Sequence, residues 1–258
     1  MAPLTLDLTG RRVLVTGAGQ GVGRGIVLAF AGAGADVVVN DIDLARAEAV
    51  ADQAAALGVR ATPLAFDVTD HEAVRDAVGG IGVDVLVNNA GNAGTAGFGA
   101  LGLFVDSTPA DWEPYLAVNL YGVLHCSHAV LPGMVARGWG RIVTIVSDAG
   151  RTGDAHMAAY SAAKAGAAGF TRSLAREVGR HAITVNNIAL GTMRTEATEP
   201  LWSDPDNPQA KAMMQAYVIR RPGLPDDVAP MCLFLASEHG DWITGQTYPV
   251  NGGYSFAQ

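Results

Sequence analysis

Cysteine and lysine are nearly missing from this chain. Cys126 and Cys232 are the only cysteines among 258 residues, too few for a disulfide scaffold or a four-cysteine zinc site. Lysine occurs twice, at Lys164 and Lys211, so any motif that contains one is a rare event. No run of 18 or more apolar residues is present, and nothing is long enough to span a bilayer as a helix. The first ten residues, MAPLTLDLTG, lack a basic stretch and include Asp7, which does not fit a secretory signal, so a cytoplasmic protein is expected. Charge is sparse at 16 % of residues, and it is acidic, with 25 Asp and Glu against 17 Lys and Arg. A net charge of −8 disfavours nucleic acid and anionic membranes as partners. Pro/Ser-rich linkers and internal repeats are missing as well, which argues for one domain over 1–258.

What the chain does have is apolar bulk, at 49 % hydrophobic residues, and 32 glycines. Short β-rich runs at 12–16, 36–40, 61–66, 84–87, 141–146, 183–188 and 247–250 read as strands. Between them, 22–32, 44–57, 71–78, 109–137, 158–180 and 226–236 read as helices. Apolar strands alternating with helices predict an α/β fold, a parallel sheet of about seven strands with helices on both faces. Two stretches break this rhythm. One is the glycine-rich apolar segment 94–105 and the other is 192–223, which reads as a lid.

Residues 16–23 spell T-G-A-G-Q-G-V-G between the first strand and the first helix. Glycines at such a turn let a pyrophosphate approach bare N–H groups at a helix N-terminus. The spacing is T-G-x-x-x-G-x-G rather than G-x-G-x-x-G. Asp41 ends the second strand, where a carboxylate can accept hydrogen bonds from adenosine ribose hydroxyls and repel a 2′-phosphate. Gln20 and Ile42 offer no cation for such a phosphate, so NAD is the expected cofactor. Asp41 or Asp43 also fits a helix N-cap.

Tyr160 and Lys164 form a Y-x-x-x-K pair, on one face if the segment is helical. With six tyrosines and two lysines, about 0.05 such pairs are expected by chance. An ammonium beside a phenol lowers its pKa and makes a usable base. Ser147 lies 13 residues earlier, at the carboxyl end of a strand, where a hydroxyl can hydrogen-bond a developing alkoxide. His125 and His128 are three apart on one predicted helix, but no third ligand accompanies them, and no metal is expected.

Together these motifs resemble the short-chain dehydrogenase/reductase family over almost the whole chain. The likeness includes Gly17, Gly21 and Gly23, Asp67-Val68 after the third strand, and Asn88-Asn89-Ala90-Gly91 after the fourth. It includes Asn119, the trio Ser147, Tyr160 and Lys164, and C-terminal runs at 221–229, 244–246 and 251–253. The resemblance implies a doubly wound Rossmann-type domain, with a cofactor half at about 1–140 and a catalytic half at about 141–258. It implies Tyr160 as general base, Lys164 as its pKa modulator and ribose contact, Ser147 on the substrate oxygen, and Asn119 anchoring a proton-relay water. Gly17, Gln20, Gly21, Val22, Gly23, Asp41, Asp67, Val68, Asn89, Ala90, Gly91, Ile188 and Thr195 would contact the cofactor.

Departures from the family pattern are Leu190 where proline precedes Gly191, Asn187 at a usually apolar position, and a longer segment between Gly91 and Trp112. Asp148, His156 and Trp202 are candidate substrate contacts, and Arg151 or Arg194 could meet a carboxylate or phosphate. Apolar residues in the two irregular segments (Phe98, Leu101, Leu103, Phe104, Leu201, Met213, Met214, Tyr217) favour an apolar cyclic or long-chain secondary alcohol. The run 147–151 resembles relatives that oxidise cyclic hydroxyacyl-CoA compounds. An NADP-dependent 3-oxoacyl reductase and a catalytically silent NAD-sensing protein are the alternatives. The family also implies a homotetramer.

Overall fold

The computed structural model describes residues 5–91 and 103–256. The strands are β1 (Arg12–Val15), β2 (Asp36–Asp41), β3 (Ala61–Ala65), β4 (Val85–Asn88), β5 (Gly140–Ser147), β6 (Ile183–Leu190) and β7 (Thr247–Val250). They form one seven-stranded sheet in the order β3-β2-β1-β4-β5-β6-β7. Every pairing is parallel, as the alternation of strands and helices predicts. The helices are α1 (Gly21–Gly32), α2 (Leu44–Ala55), α3 (His71–Val78), α4 (Pro109–Leu116), α5 (Gly122–Arg137), α6 (Ala149–Thr152), α7 (Ala158–Val178), α8 (Glu199–Trp202), α9 (Pro208–Gln215) and α10 (Pro225–Ala236).

The strands read as continuous apolar runs because both faces of the sheet are covered. Successive side chains go to opposite sides: Val13 and Val15 join one core cluster and Leu14 the other, and Val85 and Val87 part from Leu86 in the same way. The first cluster packs Ile26, Val27 and Phe30 of α1 against Val228, Cys232 and Leu235 of α10. The second packs Val74 of α3, Cys126 and Met134 of α5, and Leu174 of α7. Each fully buried side chain of this size contributes about 2 kcal/mol. Both cysteines are buried free thiols. Desolvation pushes the Cys126 thiol up to about 12 and raises that of Cys232 further, which leaves both unreactive.

Helix starts follow local chemistry. Asp43 caps α2 by accepting the Arg46 N–H at 3.2 Å, and Asp70 caps α3 through the N–H groups of Glu72 and Ala73, both at 3.0 Å. The helix expected over 109–137 is interrupted: α4 and α5 are joined by a π turn, Ala117–Tyr121. The turn's sequence, AVNLY, holds no glycine or proline to mark the interruption. Asn119 lies within that turn, a setting common at functional positions.

From β1 the chain builds outward to β2 and β3, then crosses back to start β4 on the other side of β1. That reversal opens a crevice at the carboxyl ends of the strands. Among the described residues no helix is long and apolar enough to cross a membrane.

Candidate active site

The loop between β1 and α1 is held from beneath by Asn89. Its Nδ2 donates to the carbonyls of Thr16 and Gly17, both at 2.9 Å. The Thr16 hydroxyl in turn accepts the N–H groups of Asn89 at 3.1 Å and Ala90 at 3.0 Å. Packing here leaves no room for side chains. A Cβ on Gly23 would lie 2.5 Å from both Asn89 Nδ2 and the Gly17 carbonyl. Gly23→Ala is therefore expected to cost at least 2 kcal/mol, on the order of a typical overpacking penalty, and to abolish cofactor binding. Thermal melts with and without NADH check this; a variant as stable as wild type that still binds NADH would contradict it.

Asp41, at the end of β2, sits under the same loop. Its Oδ2 accepts the Gly19 N–H and its Oδ1 the Asp43 N–H, both at 3.0 Å. The first N–H of α1, on Gly21, donates to the Glu196 carboxylate at 3.0 Å. A carboxylate seated there shows that the helix end accepts an anion. A bare-backbone cradle, an anion-accepting helix start and a buried carboxylate 22 residues from the loop fit a dinucleotide. Gln20 precedes α1 without capping it, and Val22 lines the crevice. Asp67 is exposed, with its carboxylate on the N–H and hydroxyl of Thr69, and Val68 is buried against α5.

At the other end of the crevice β5 delivers Ser147, while α7 carries Tyr160 and Lys164 one turn apart. Tyr160 is 7 % exposed and Lys164 4 %. Lys164 Nζ donates to the Ile145 carbonyl at 2.9 Å. Both Lys164 Nζ and Asn119 Oδ1 would lie 3.1 Å from a Cβ on Gly91, so β4, the π turn and α7 converge on one point. The Asn119 amide is oriented by its Nδ2, which donates to the Tyr115 carbonyl at 3.0 Å.

Burial raises the Tyr160 phenol above its ordinary value, a hydrogen bond with Ser147 lowers it, and the charge of Asp154 raises it. Lys164 Nζ lies 5.8 Å from the centre of the Tyr160 ring. Complete burial lowers the Lys164 ammonium to about 8. Asp154 also accepts from the Tyr254 hydroxyl at 3.1 Å. Asp154→Asn removes a charge that disfavours the phenolate, so the pH profile of alcohol oxidation is expected to move to lower pH. A profile unmoved or displaced to higher pH would contradict the assignment.

The crevice has a volume of about 920 Å³ and runs from Val22 and Asn89 past Ser147 and Tyr160 to Leu201, Met213 and Tyr217. Much of the apolar part of its wall comes from Met193, Leu201, Met213 and Tyr217 within 192–223, the segment read as a lid, which contains α8 and α9.

Residues 17–255 match the family model described as Enoyl-(Acyl carrier protein) reductase. The chain is 38 % identical over 253 residues to the 7alpha-hydroxysteroid dehydrogenase of Escherichia coli K12, covering 96 % of this chain and 95 % of that protein. It is 37 % identical over 255 residues to the (2S)-[(R)-hydroxy(phenyl)methyl]succinyl-CoA dehydrogenase subunit BbsD of Thauera aromatica, covering 97 % and 98 %. A solved 7α-hydroxysteroid dehydrogenase, complexed with NADH and 7-oxo glycochenodeoxycholic acid, superposes with a TM-score of 0.85 at 36 % identity over 96 % of both chains.

This chain is a short-chain dehydrogenase/reductase. It is an oxidoreductase of alcohols and ketones from a family that uses NAD(P).

The remaining candidate contacts of this dehydrogenase/reductase occupy different settings. Ile188 is fully buried in the core; Leu190, Gly191 and Met193 line the crevice instead, with Thr195 beyond them. Asp148 borders the crevice, but its carboxylate is taken up by Arg151 at 2.7 Å, Asn251 at 2.6 Å and Ser255 at 2.9 Å. It staples the C-terminal segment to the turn after Ser147. His156 lines a separate hollow of about 60 Å³ with Phe104 and Trp112. Trp202 is not in the crevice wall; its indole donates to Thr198 at 3.2 Å, while neighbouring Leu201 lines the cavity.

Both arginines are paired with carboxylates. Arg151 is held by Asp148 and the C-terminal segment, and Arg194 is forked onto Glu199 at 2.8 and 2.6 Å. Asn187 is buried and satisfied, accepting from Thr171 at 2.7 Å and donating to Thr247 at 3.0 Å. Phe98 and Leu101 lie outside the described residues, and Leu103 and Phe104 are exposed. His71 joins His125 and His128, with ring centres 5.2 and 5.5 Å from its own, yet among the described residues no three such side chains are placed to hold a metal.

Sequence reasoning missed Arg46, Glu196 and Tyr254. Each reaches the site by a contact that is not periodic. Only Arg46, five residues after Asp41 in the first turn of a predicted helix, had a local signal.

Proposed function

We propose that this chain is an NAD-preferring dehydrogenase that interconverts an apolar secondary alcohol, cyclic or long-chain, and its ketone. The observation that carries the reading is the grouping of Ser147, Tyr160 and Lys164 on a large crevice whose far wall is formed by Leu201, Met213 and Tyr217. A bound nicotinamide dinucleotide supplies the hydride acceptor for oxidation and the donor for reduction. Ser147 holds the substrate oxygen. Tyr160 takes the alcohol proton at its phenolic oxygen, helped by its hydrogen bond with Ser147. Lys164 and Asn119, converging beside Gly91, pass that proton outward. At the adenosine end, Asp41 accepts the ribose hydroxyls. An apolar wall rewards a substrate that loses water cheaply and leaves a sugar's hydroxyls unpaired.

The test is a panel of steroids, cyclic and aliphatic secondary alcohols, hydroxyacyl-CoAs and sugars, followed at the NADH absorbance with NAD and NADP in parallel. Preference for an apolar alcohol with NAD supports the reading. Preference for a polyhydroxylated sugar overturns the substrate class, and better turnover with NADP overturns the cofactor preference.

We also propose a homotetramer. Tyr121 and Val135, at the ends of the α5 region, are exposed apolar side chains, and β7 is a sheet edge. Both sheet edges carry a proline, Pro63 and Pro249, which opposes extension of the sheet and favours packing by side chains. Sedimentation at the mass of one chain, 26.6 kDa, would contradict it.

A further inference from the structure

Two cavities meet at Tyr217. One is the crevice of about 920 Å³ that holds Ser147 and Tyr160. The other, of about 360 Å³, is walled further out by Ile219, Arg221, Val250 and Gly252. The two have Gly191, Thr192, Met193 and Tyr217 in common, so these four form the wall between them. Three of the four are consecutive and held by their backbone. Met193 bridges to Gly223, the Gly223 N–H donates to the Thr192 carbonyl at 3.0 Å, and the Arg194 N–H donates to the Gly223 carbonyl at 2.8 Å. The fourth contributes an aromatic ring.

That ring is pinned. Tyr217 is 5 % exposed. Its hydroxyl accepts the Thr192 N–H at 2.7 Å and donates to Thr192 Oγ1 at 3.0 Å. Glycines lie against it on two sides. A Cβ on Gly191 would be 2.9 Å from both Tyr217 Cε1 and Oη, and one on Gly252 would be 3.3 Å from Cδ1. The ring therefore spans the gap from Gly191, at the crevice, to Gly252, which lines the second cavity alone. The Tyr254 ring braces it, with centres 5.1 Å apart.

We propose that Tyr217 is a specificity-determining partition: it ends the crevice so that a compact cyclic alcohol fits and a long chain does not, and the cavity behind it is a subsite for an alkyl chain that opens when the ring is removed. The inference rests on the apolar-substrate reading above and narrows it from cyclic or long-chain to cyclic. An alkyl chain suits the second cavity because Met193, Ile219 and Val250 line it and its two charged groups satisfy each other. Arg221 is forked onto Asp227 at 2.6 and 2.8 Å. A buried ring with its hydroxyl bonded twice does not swing aside for a chain that offers no hydrogen bond in return.

The experiment titrates alkan-2-ols, from butan-2-ol to dodecan-2-ol, and cyclohexanol into the enzyme–NADH complex, read by NADH fluorescence. An alcohol cannot take hydride from NADH, so binding is read without turnover. While the chain is filling an apolar wall, affinity should rise by about fourfold per methylene. In wild type the rise is expected to stop before dodecan-2-ol. In Tyr217→Ala it should continue to longer chains, with a gain of tenfold or more for dodecan-2-ol and a change within threefold for cyclohexanol. Tyr217→Phe keeps the ring and should stop where wild type does. NADH binding reports a folded site, and Tyr217→Val serves should the alanine variant be unstable. An affinity that climbs through dodecan-2-ol in wild type overturns the proposal, as does a variant that binds NADH and stops at the wild-type length. If no alcohol binds wild type, the apolar-substrate reading fails, and a crystal structure of the alanine variant decides the partition: one continuous cavity from Ser147 to Ile219 supports it, and closure of the gap by Tyr254 overturns it.

Discussion

Tyr160→Phe is expected to lower turnover by about 10²–10⁴-fold while leaving NADH affinity within a few-fold of wild type. Phenylalanine keeps the ring that packs in the small cluster with Tyr115, Ala149 and Ala159, so the fold around Ser147 has no reason to change. What disappears is one oxygen, the only atom of this side chain able to exchange a proton with a substrate. Ser147 loses one of its hydrogen-bond partners as well, keeping the Ala149 N–H at 3.2 Å, so some substrate orientation goes with it. Steady-state rates on any alcohol found to react, together with NADH fluorescence titration, separate the two effects. Near-normal turnover would show that another group is the base. Loss of NADH binding in parallel with turnover would show that Tyr160 acts mainly on the cofactor.

How far this site was readable in advance depended on whether its signal is local. The strand runs were readable because each face of the sheet takes alternate side chains into a core, which makes most positions apolar. The Tyr160–Lys164 spacing was readable because a helix repeats every 3.6 residues. The glycine loop was readable because a close backbone approach excludes Cβ atoms, as at Gly23. Partnerships across long stretches of chain were not. Asp148 lines the crevice beside Ser147, and its bond to Asn251, 103 residues away, is a contact that no local pattern announces. The Gly21–Glu196 contact spans 175 residues. Ile188 and Leu190 lie on one face of β6 and in one core cluster, and Leu190 also reaches the crevice because it ends the strand; sequence periodicity alone does not tell where the strand stops.

Lys164→Met should have the opposite effects on stability and on activity. Burial lowers the Lys164 ammonium from 10.5 to about 8, so the folded protein holds this proton less tightly than the unfolded chain does. Below pH 8 the folded state carries the full cost of a desolvated ammonium, a difference of about 3 kcal/mol. Between pH 8 and 10.5 the unfolded chain binds more protons, so that cost fades and wild type gains stability relative to the variant. Methionine fills nearly the same volume without a charge. It leaves the Ile145 carbonyl without its donor, which takes back about 1 kcal/mol. The net gain at pH 7 is about 2 kcal/mol, or roughly 4–8 °C for a chain of this size. The gain should shrink steadily as pH rises from 8 to 10.5. Turnover should be lost throughout, because methionine neither relays a proton nor donates to a ribose. Paired melts of wild type and variant at each pH cancel the titration of other groups. A variant less stable than wild type at pH 7, or a difference independent of pH, would mean that Lys164 sits in its pocket at no electrostatic cost and is held there for packing.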